Sequence, residues 1–375
     1  MIPEQVFSST LLSFFEPIRP FLDDPSVTEV MINGPGKIYI ERKGKLAKVD
    51  AEFPNVKALY AALRNTAQYA GKHVDDERPL LEGRLPDGSR VAAVLPPAGF
   101  GGPYVAIRRF FGEKLTMDRL LKLGSLTEDA AEMIRVLVES KQNIIIAGGT
   151  SSGKTSLLNS VSSLIPEDER VVVIEDSKEL ALHRDHVVTL EGRPADAKGR
   201  GEVTIRALFR ITLRMRPDRI VIGELRGGEA LDLIQAMTSG HGGCLTTLHA
   251  TYPRDVLTRL ETMAMMADIE MPLAALRAQI ASAVDIVVQA SRFRDGSRKI
   301  THISEISGFD MERGSYKIKD LFVRKVHGTD ERGRIQSELL PTGILPDAME
   351  AIEAAGLDVP AAVHDAARKR SRGAR

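Results

Sequence analysis

Apolar positions recur at uneven helical spacing from Glu4 to Glu16, through Val6, Phe7, Leu11, Leu12, Phe14 and Phe15, and Pro17 and Pro20 should end that helix. Val27 to Ile32, Asn33 to Gly36 and Lys37 to Glu41 then read as strand, turn and strand. A second turn at Arg42 to Lys45 leads into a third strand, Leu46 to Val49. Asn55 to Tyr69 repeats at helical spacing, and Gly83 to Val94 and Tyr104 to Arg109 read as further strands. Together they predict an α+β module over 1–110. A linker is expected at 111–118, where Gly112 supplies freedom.

Beyond the linker, strands and helices alternate. A helix is expected from Thr127, its cap, to Ser140, followed by an apolar strand from Asn143 to Ala147. Further strands are Arg170 to Ile174, Arg219 to Gly223, Cys244 to Leu248, Val284 to Val288, Ile300 to Ile306 and a closing pair near Tyr316 to Val323. Helices are expected from Thr204, as cap, to Met215 and from Gly227 to Met237, with a charged, glycine-rich loop over 191–202. Such alternation points to an α/β fold with a wound, mostly parallel sheet over 119–325. Residues 326–375 carry little pattern, and the basic stretch from Arg368 to Arg375 reads as a disordered tail.

Composition adds mainly exclusions. Lys plus Arg and Asp plus Glu both number 51, so net charge argues for neither a nucleic acid nor an anionic membrane as partner. The single cysteine, Cys244, excludes an internal disulfide and a four-cysteine zinc module. No stretch approaches the roughly 18 apolar residues of a membrane span. The N-terminus lacks the basic region of a secretory signal, and cytoplasm is the expected compartment.

The chemistry concentrates at Gly148-Gly149-Thr150-Ser151-Ser152-Gly153-Lys154-Thr155, which spells G-x-x-x-x-G-K-[ST] between an apolar strand and the helical pattern that begins at Ser156. Its glycines allow backbone N–H groups to face an anion, and the helix N-terminus adds positive potential there. Lys154 is expected on the β- and γ-phosphates of ATP, and the Thr155 hydroxyl on Mg²⁺. A parallel sheet places ligands at the carboxyl ends of its strands, so strand-end acids matter. Glu224 ends one apolar strand and Glu175 another; either could polarise the attacking water. We favour Glu224 as the base, with a hold on Mg²⁺ through water as its alternative task, and Glu175 as its partner in positioning water and metal. His249, at the carboxyl end of its strand, could sense the γ-phosphate, whereas His241 lies at the other end and suits a loop or interface. Arg206, Arg210 and Arg214 share a helix face at four-residue spacing. A guanidinium from the first module, Arg84, Arg90, Arg108 or Arg109, is a further possibility from spacing alone.

These motifs, together with Val173-Ile174-Glu175-Asp176, the stretch from Arg214 to Ala230, and Leu245-Thr246-Thr247-Leu248-His249-Ala250, resemble the bacterial secretion ATPases of type II and type IV secretion, type IV pili and archaeal flagella. Within that group the sequence is most similar to the CpaF-type ATPases of Flp (tight adherence) pili, through Val27 to Pro35, Gly83 to Arg90 and Gln279 to Gln289. The resemblance implies a homohexameric, Mg²⁺-dependent ATPase. Each subunit would join a PAS-like, sensor-like domain to a RecA-like motor domain, with Arg90 and Arg108 reaching the phosphates. It implies docking on a polytopic inner-membrane platform protein, so membrane contact would be peripheral, with no specific nucleic acid bound. Gly223, where many P-loop enzymes carry an aspartate, matches the superfamily's own pattern. Three functions follow: a Flp-pilus motor first, a type IV secretion or conjugation motor second, and a nucleic-acid-stimulated ATPase last, since only 5% of residues are aromatic.

Overall fold

The computed structural model describes residues 10–42, 44–110, 115–195 and 199–373. The chain divides into two compact units, Met1–Glu113 and Lys114–Arg375. In the first, residues 10–13 are helical and the chain then turns, so the expected first helix stops before Glu16; residues 4–9 of that expectation lie outside the described residues. Among the described residues, this unit holds a six-stranded antiparallel sheet. Its strands are β1 (Val27–Asn33), β2 (Ile38–Arg42), β3 (Lys45–Val49), β4 (Leu80–Arg84), β5 (Arg90–Val94) and β6 (Tyr104–Arg108), in the order β3-β2-β1-β6-β5-β4. Alternate residues Val30, Ile32, Ile38, Ile40, Val91, Ala93, Val105 and Ile107 are buried in one core. Helix α1 (Val56–Tyr69) adds Leu59, Ala62, Leu63 and Ala67 to it. Asn55 caps this helix, accepting from the Ala58 amide at 3.0 Å.

The single strand expected over Gly83 to Val94 is two strands. Asp87 accepts from the Ser89 amide and hydroxyl, and the Leu85 amide donates to the Ser89 carbonyl, closing a tight turn. The Pro86-Asp87-Gly88 turn chemistry outweighs the apolar positions on either side.

The second unit is built on a nine-stranded sheet among the described residues. Its strands are β7 (Ile144–Gly148), β8 (Val171–Glu175), β9 (Val187–Glu191), β10 (Arg219–Ile222), β11 (Leu245–His249), β12 (Ile286–Arg292), β13 (Arg298–Asp310), β14 (Ser315–Thr329) and β15 (Ile335–Pro341). From β12 through β7, β11, β10 and β8 to β9 the pairings are parallel; β13, β14 and β15 extend the other side antiparallel. The inner parallel strands β7, β8, β10 and β11 are buried on both faces, as their continuous apolar runs require. Ile144 and Ile146 of β7 enter one core with helices α2 (Glu128–Glu139) and α3 (Lys154–Ser162). Ile145 and Ala147 enter the other with α4 (Ile205–Thr212), α5 (Glu229–Thr238), α6 (Pro253–Met265) and α7 (Leu273–Ala283).

Several elements differ from the sequence reading. Thr127 precedes α2 without capping it: its hydroxyl donates to the Leu339 carbonyl on β15 at 3.0 Å, so tertiary contact overrides a local role. β9, α6 and α7 carried no sequence expectation. β9 is a half-buried edge strand with little periodicity to read. Residues 326–375 are structured as far as Gly373. They complete β14, form β15, and end in helix α8 (Ala361–Gly373), which buries Val363 in the first core. The basic stretch 368–373 is therefore helical, since alanine, arginine and lysine are strong helix formers once one turn is anchored; 374–375 lie outside the described residues.

At the amino edge of the sheet, the Arg219 side chain is fully buried and paired with Glu169, which Lys141 also approaches at 3.2 Å. An arginine stays charged even when buried, so removing its acid leaves an uncompensated cation. Glu169→Gln is expected to lower unfolding free energy by about 3 kcal/mol in a urea titration. An unchanged urea midpoint would show that the pair contributes nothing.

Candidate nucleotide site

β7 ends at Gly148, and the loop beyond it runs directly into α3, with Gly153 as N-cap. Gly148 has no room for a side chain: a Cβ there would lie 2.5 Å from the Ala290 carbonyl oxygen of β12. The neighbouring strand thus sets the start of the loop. The Ser152 hydroxyl donates to the Gly149 carbonyl at 2.9 Å, and Arg298, from β13, donates to the Ser151 carbonyl at 3.0 Å. These contacts hold the loop by its carbonyls. Among the described residues, the amides of Thr150, Ser151 and Gly153 and the Thr155 hydroxyl find no protein partner. A ring of unspent donors around a helix N-terminus fits a phosphate chain. Among the described residues no group of three or more His, Cys, Asp or Glu forms a metal cage. The Thr155 hydroxyl at the start of α3, unpartnered among the described residues, fits Mg²⁺, which takes most of its ligands from phosphate oxygens and water.

Lys154 is 8% exposed. Its Nζ donates to the Gly149 carbonyl at 3.2 Å and lies 3.3 Å from both ring nitrogens of His249. His249 Nε2 is 2.8 Å from Glu224 Oε1. Burial and the Lys154 charge hold the His249 pKa below its ordinary value, against the pull of Glu224. An imidazole that donates from Nε2 to Glu224 is neutral, and the Lys154 ammonium lies beside it at equal distance from both ring nitrogens. The ends of β7, β10 and β11 are thereby joined through one line of side chains. Thr247 of β11 fixes the segment before Glu224, its hydroxyl donating to the Gly223 carbonyl at 2.7 Å.

Glu175 ends β8 in a different environment. It is 3% exposed, and its Oε1 accepts from the amides of Glu179 and Leu180 at 3.0 and 2.9 Å. Its Oε2 has no partner among the described residues. Burial pushes its pKa up to about 7, although the two amides oppose the shift. Gly223 leaves room beside it, since a Cβ there would lie a tight 3.1 Å from Glu175 Cγ.

Residues 13–335 match the family described as Type II/IV secretion system protein. The chain belongs to this family. It is 34% identical over 292 residues to the conjugal transfer protein TrbB of Rhizobium radiobacter, covering 77% of this chain and 86% of that one. It is 35% identical over 322 residues to the type IV secretion system protein VirB11 of Brucella suis biovar 1, covering 78% of this chain and 88% of the relative. The X-ray structure of the Legionella pneumophila ATPase DotB superposes with a TM-score of 0.53 at 20% identity, covering 82% of each chain, which shows a shared mixed α/β fold. The first two relatives are named for conjugal transfer and type IV secretion. They support the second reading of the sequence better than the Flp-pilus reading placed first.

Within this family member, the structure brings Lys154, His249 and Glu224 together; Glu175 sits on the same sheet edge but hydrogen-bonds to none of them. Arg90 and Arg108 lie in the first unit, directly opposite each other on β5 and β6, with Arg84 opposite Arg90 and Glu29 opposite Arg108. Arg206 and Arg210 both pair with Asp232 of α5, at 2.5 and 3.0 Å, so two members of the basic stripe serve helix packing. His241 and Cys244 lie at the amino edge, where the buried thiol donates to the His241 carbonyl. Two residues at the site escaped the sequence reading. Arg298 lies far along the chain from the loop it braces and carries no local signal. Arg226 stands two residues after Glu224, and that spacing was the available clue.

The folded state keeps the Glu175 proton to about pH 7. The unfolded chain releases it near the ordinary glutamate value, roughly 4.3. Unfolding is then favoured progressively as pH rises between those values, and above them the ionised carboxylate costs about 4 kcal/mol. In urea titrations Glu175→Gln is expected to flatten the loss of stability from pH 5 to 7. At pH 8 it should be at least as stable as the native protein. Parallel pH profiles for the two proteins would rule this account out.

Proposed function

We propose that this chain is a Mg²⁺-dependent ATPase that drives a type IV secretion or conjugal-transfer machine. The observation that carries this reading is the line from Lys154 through His249 to Glu224, which couples a phosphate-binding loop to a strand-end acid. Lys154 and the free loop amides would hold the ATP phosphates, together with the loop residues from Gly148 to Ser156. The Thr155 hydroxyl would hold Mg²⁺. When bound, the ion neutralises charge on the β- and γ-phosphate oxygens. Glu224 would take the proton of the attacking water, because its carboxylate is part-exposed and linked to the loop. Glu175 is buried and held by two amides, so it suits orientation of its loop and of water better than proton removal. His249 would report the phosphate to Glu224, since Lys154 can satisfy ring or phosphate but not both fully.

The finer features go with this reading. The second unit would be a RecA-like motor and the first a PAS-like, sensor-like domain supplying Arg90 or Arg108 to the phosphates. Subunits would form a homohexameric ring against a polytopic inner-membrane platform protein. Among the described residues no helix is long and apolar enough to cross a membrane, so attachment would run through that partner.

Glu224→Gln is expected to bind ATP normally and to lower kcat at least a hundredfold, a barrier rise of about 2.7 kcal/mol; near-normal turnover would remove Glu224 from its role. Lys154→Ala should weaken nucleotide binding at least tenfold by titration calorimetry, and unchanged affinity would refute its phosphate contact. Deleting the gene should abolish DNA or protein transfer and leave Flp pili intact. Loss of pili with transfer preserved would restore the pilus reading.

A further inference from the structure

We propose that Arg226 is the positioning residue of the ATPase reaction, acting through Glu224. This rests on the assignment of Glu224 as base. The guanidinium of Arg226 spans two acids from adjacent strands. Its Nη2 and Nε donate to Glu224 Oε2 at 2.6 and 3.0 Å, and its Nη1 donates to Asp176 Oδ2 at 3.0 Å. Glu224 follows β10 and Asp176 follows β8, which run parallel with Ile222 opposite Ile174. The strand register therefore sets two like charges side by side, and Arg226 sits between them.

The arginine is itself held by its backbone. Leu225 is buried and its amide donates to the Thr247 carbonyl at 3.0 Å. Glu229, in the first turn of α5, accepts from the Arg226 and Gly227 amides at 2.7 and 2.9 Å. The side chain leaves this fixed backbone and takes Oε2 of Glu224, while His249 meets Oε1. Oε2 takes two donors from Arg226 and Oε1 a single one from His249, so Oε1 keeps a lone pair for water. Arg226 thus decides which oxygen acts as base and where it points. A planar fork can serve both acids at once, whereas an ammonium is a single point charge.

The Arg226 side chain is 57% exposed, so its ion pairs contribute little to folding. Its removal should be felt in the rate and not in stability. Arg226→Ala is expected to lower kcat tenfold or more, with KM for ATP, ATP affinity and urea midpoint close to those of the native protein. Arg226→Lys should recover only a small part of the rate. Millimolar guanidinium or methylguanidinium should partly restore kcat in Arg226→Ala, because the site is open to solvent, and should not do so in the native protein. Asp176→Asn should lower kcat severalfold, and the double variant should be no worse than Arg226→Ala alone. A kcat within threefold of native in Arg226→Ala, a defect confined to KM, or full activity in Arg226→Lys would overturn the proposal. If the native protein hydrolysed no ATP, the assignment of Glu224 would fall with it; an active native protein and an equally active Arg226→Ala would sink this inference alone.

Discussion

A buried ammonium must be answered, and the answer given to Lys154 organises the second unit. Its charge is removed from bulk water at the first turn of α3, and a single carbonyl cannot replace its hydration. His249 stands on one side and Glu224 stands behind His249. The result is a short relay in which a cation, a neutral ring and an acid are each held by the next. An anion arriving at the loop competes for the same ammonium. On the reading proposed above, binding and the state of the acid would be linked by charge.

Two carboxylates at one sheet edge are driven apart by their surroundings. Glu175 is enclosed and keeps its proton to near neutrality, while Glu224 is part-exposed and surrounded by cationic or donating groups. On the proposed reading, environment rather than residue type would divide the work between them. Gly223 packs closely against Glu175, where a Cβ would lie a tight 3.1 Å from its Cγ.

The sheet also separates structural polarity from chemical polarity. At the amino edge, Asn143 donates to the Ala283 carbonyl and accepts from the Cys244 amide, its own amide donates to Asp285, and Arg219 is closed against Glu169. These contacts knit strands together. At the carboxyl edge, loop amides and the Thr155 hydroxyl remain unspent among the described residues. Parallel strands make this asymmetry natural, because every strand ends on the same side.

The sequence by itself determined what depends on near neighbours. Runs such as Ile144 to Ala147 and Val171 to Ile174 specify strands buried on both faces, and G-x-x-x-x-G-K-T following one of them specifies a phosphate loop. Strand-end acids and His249 were visible for the same reason. Elements whose order comes from contact were not: β9 forms on the edge of β8, and the basic end of the chain is helical because Val363 is anchored in a core. Only the tertiary structure decided that Arg298 braces the loop, that Glu175 is buried, and that Arg226 spans Glu224 and Asp176. Each of those depends on distance between segments far apart in the chain. Strand order sets that distance, and no local pattern encodes it.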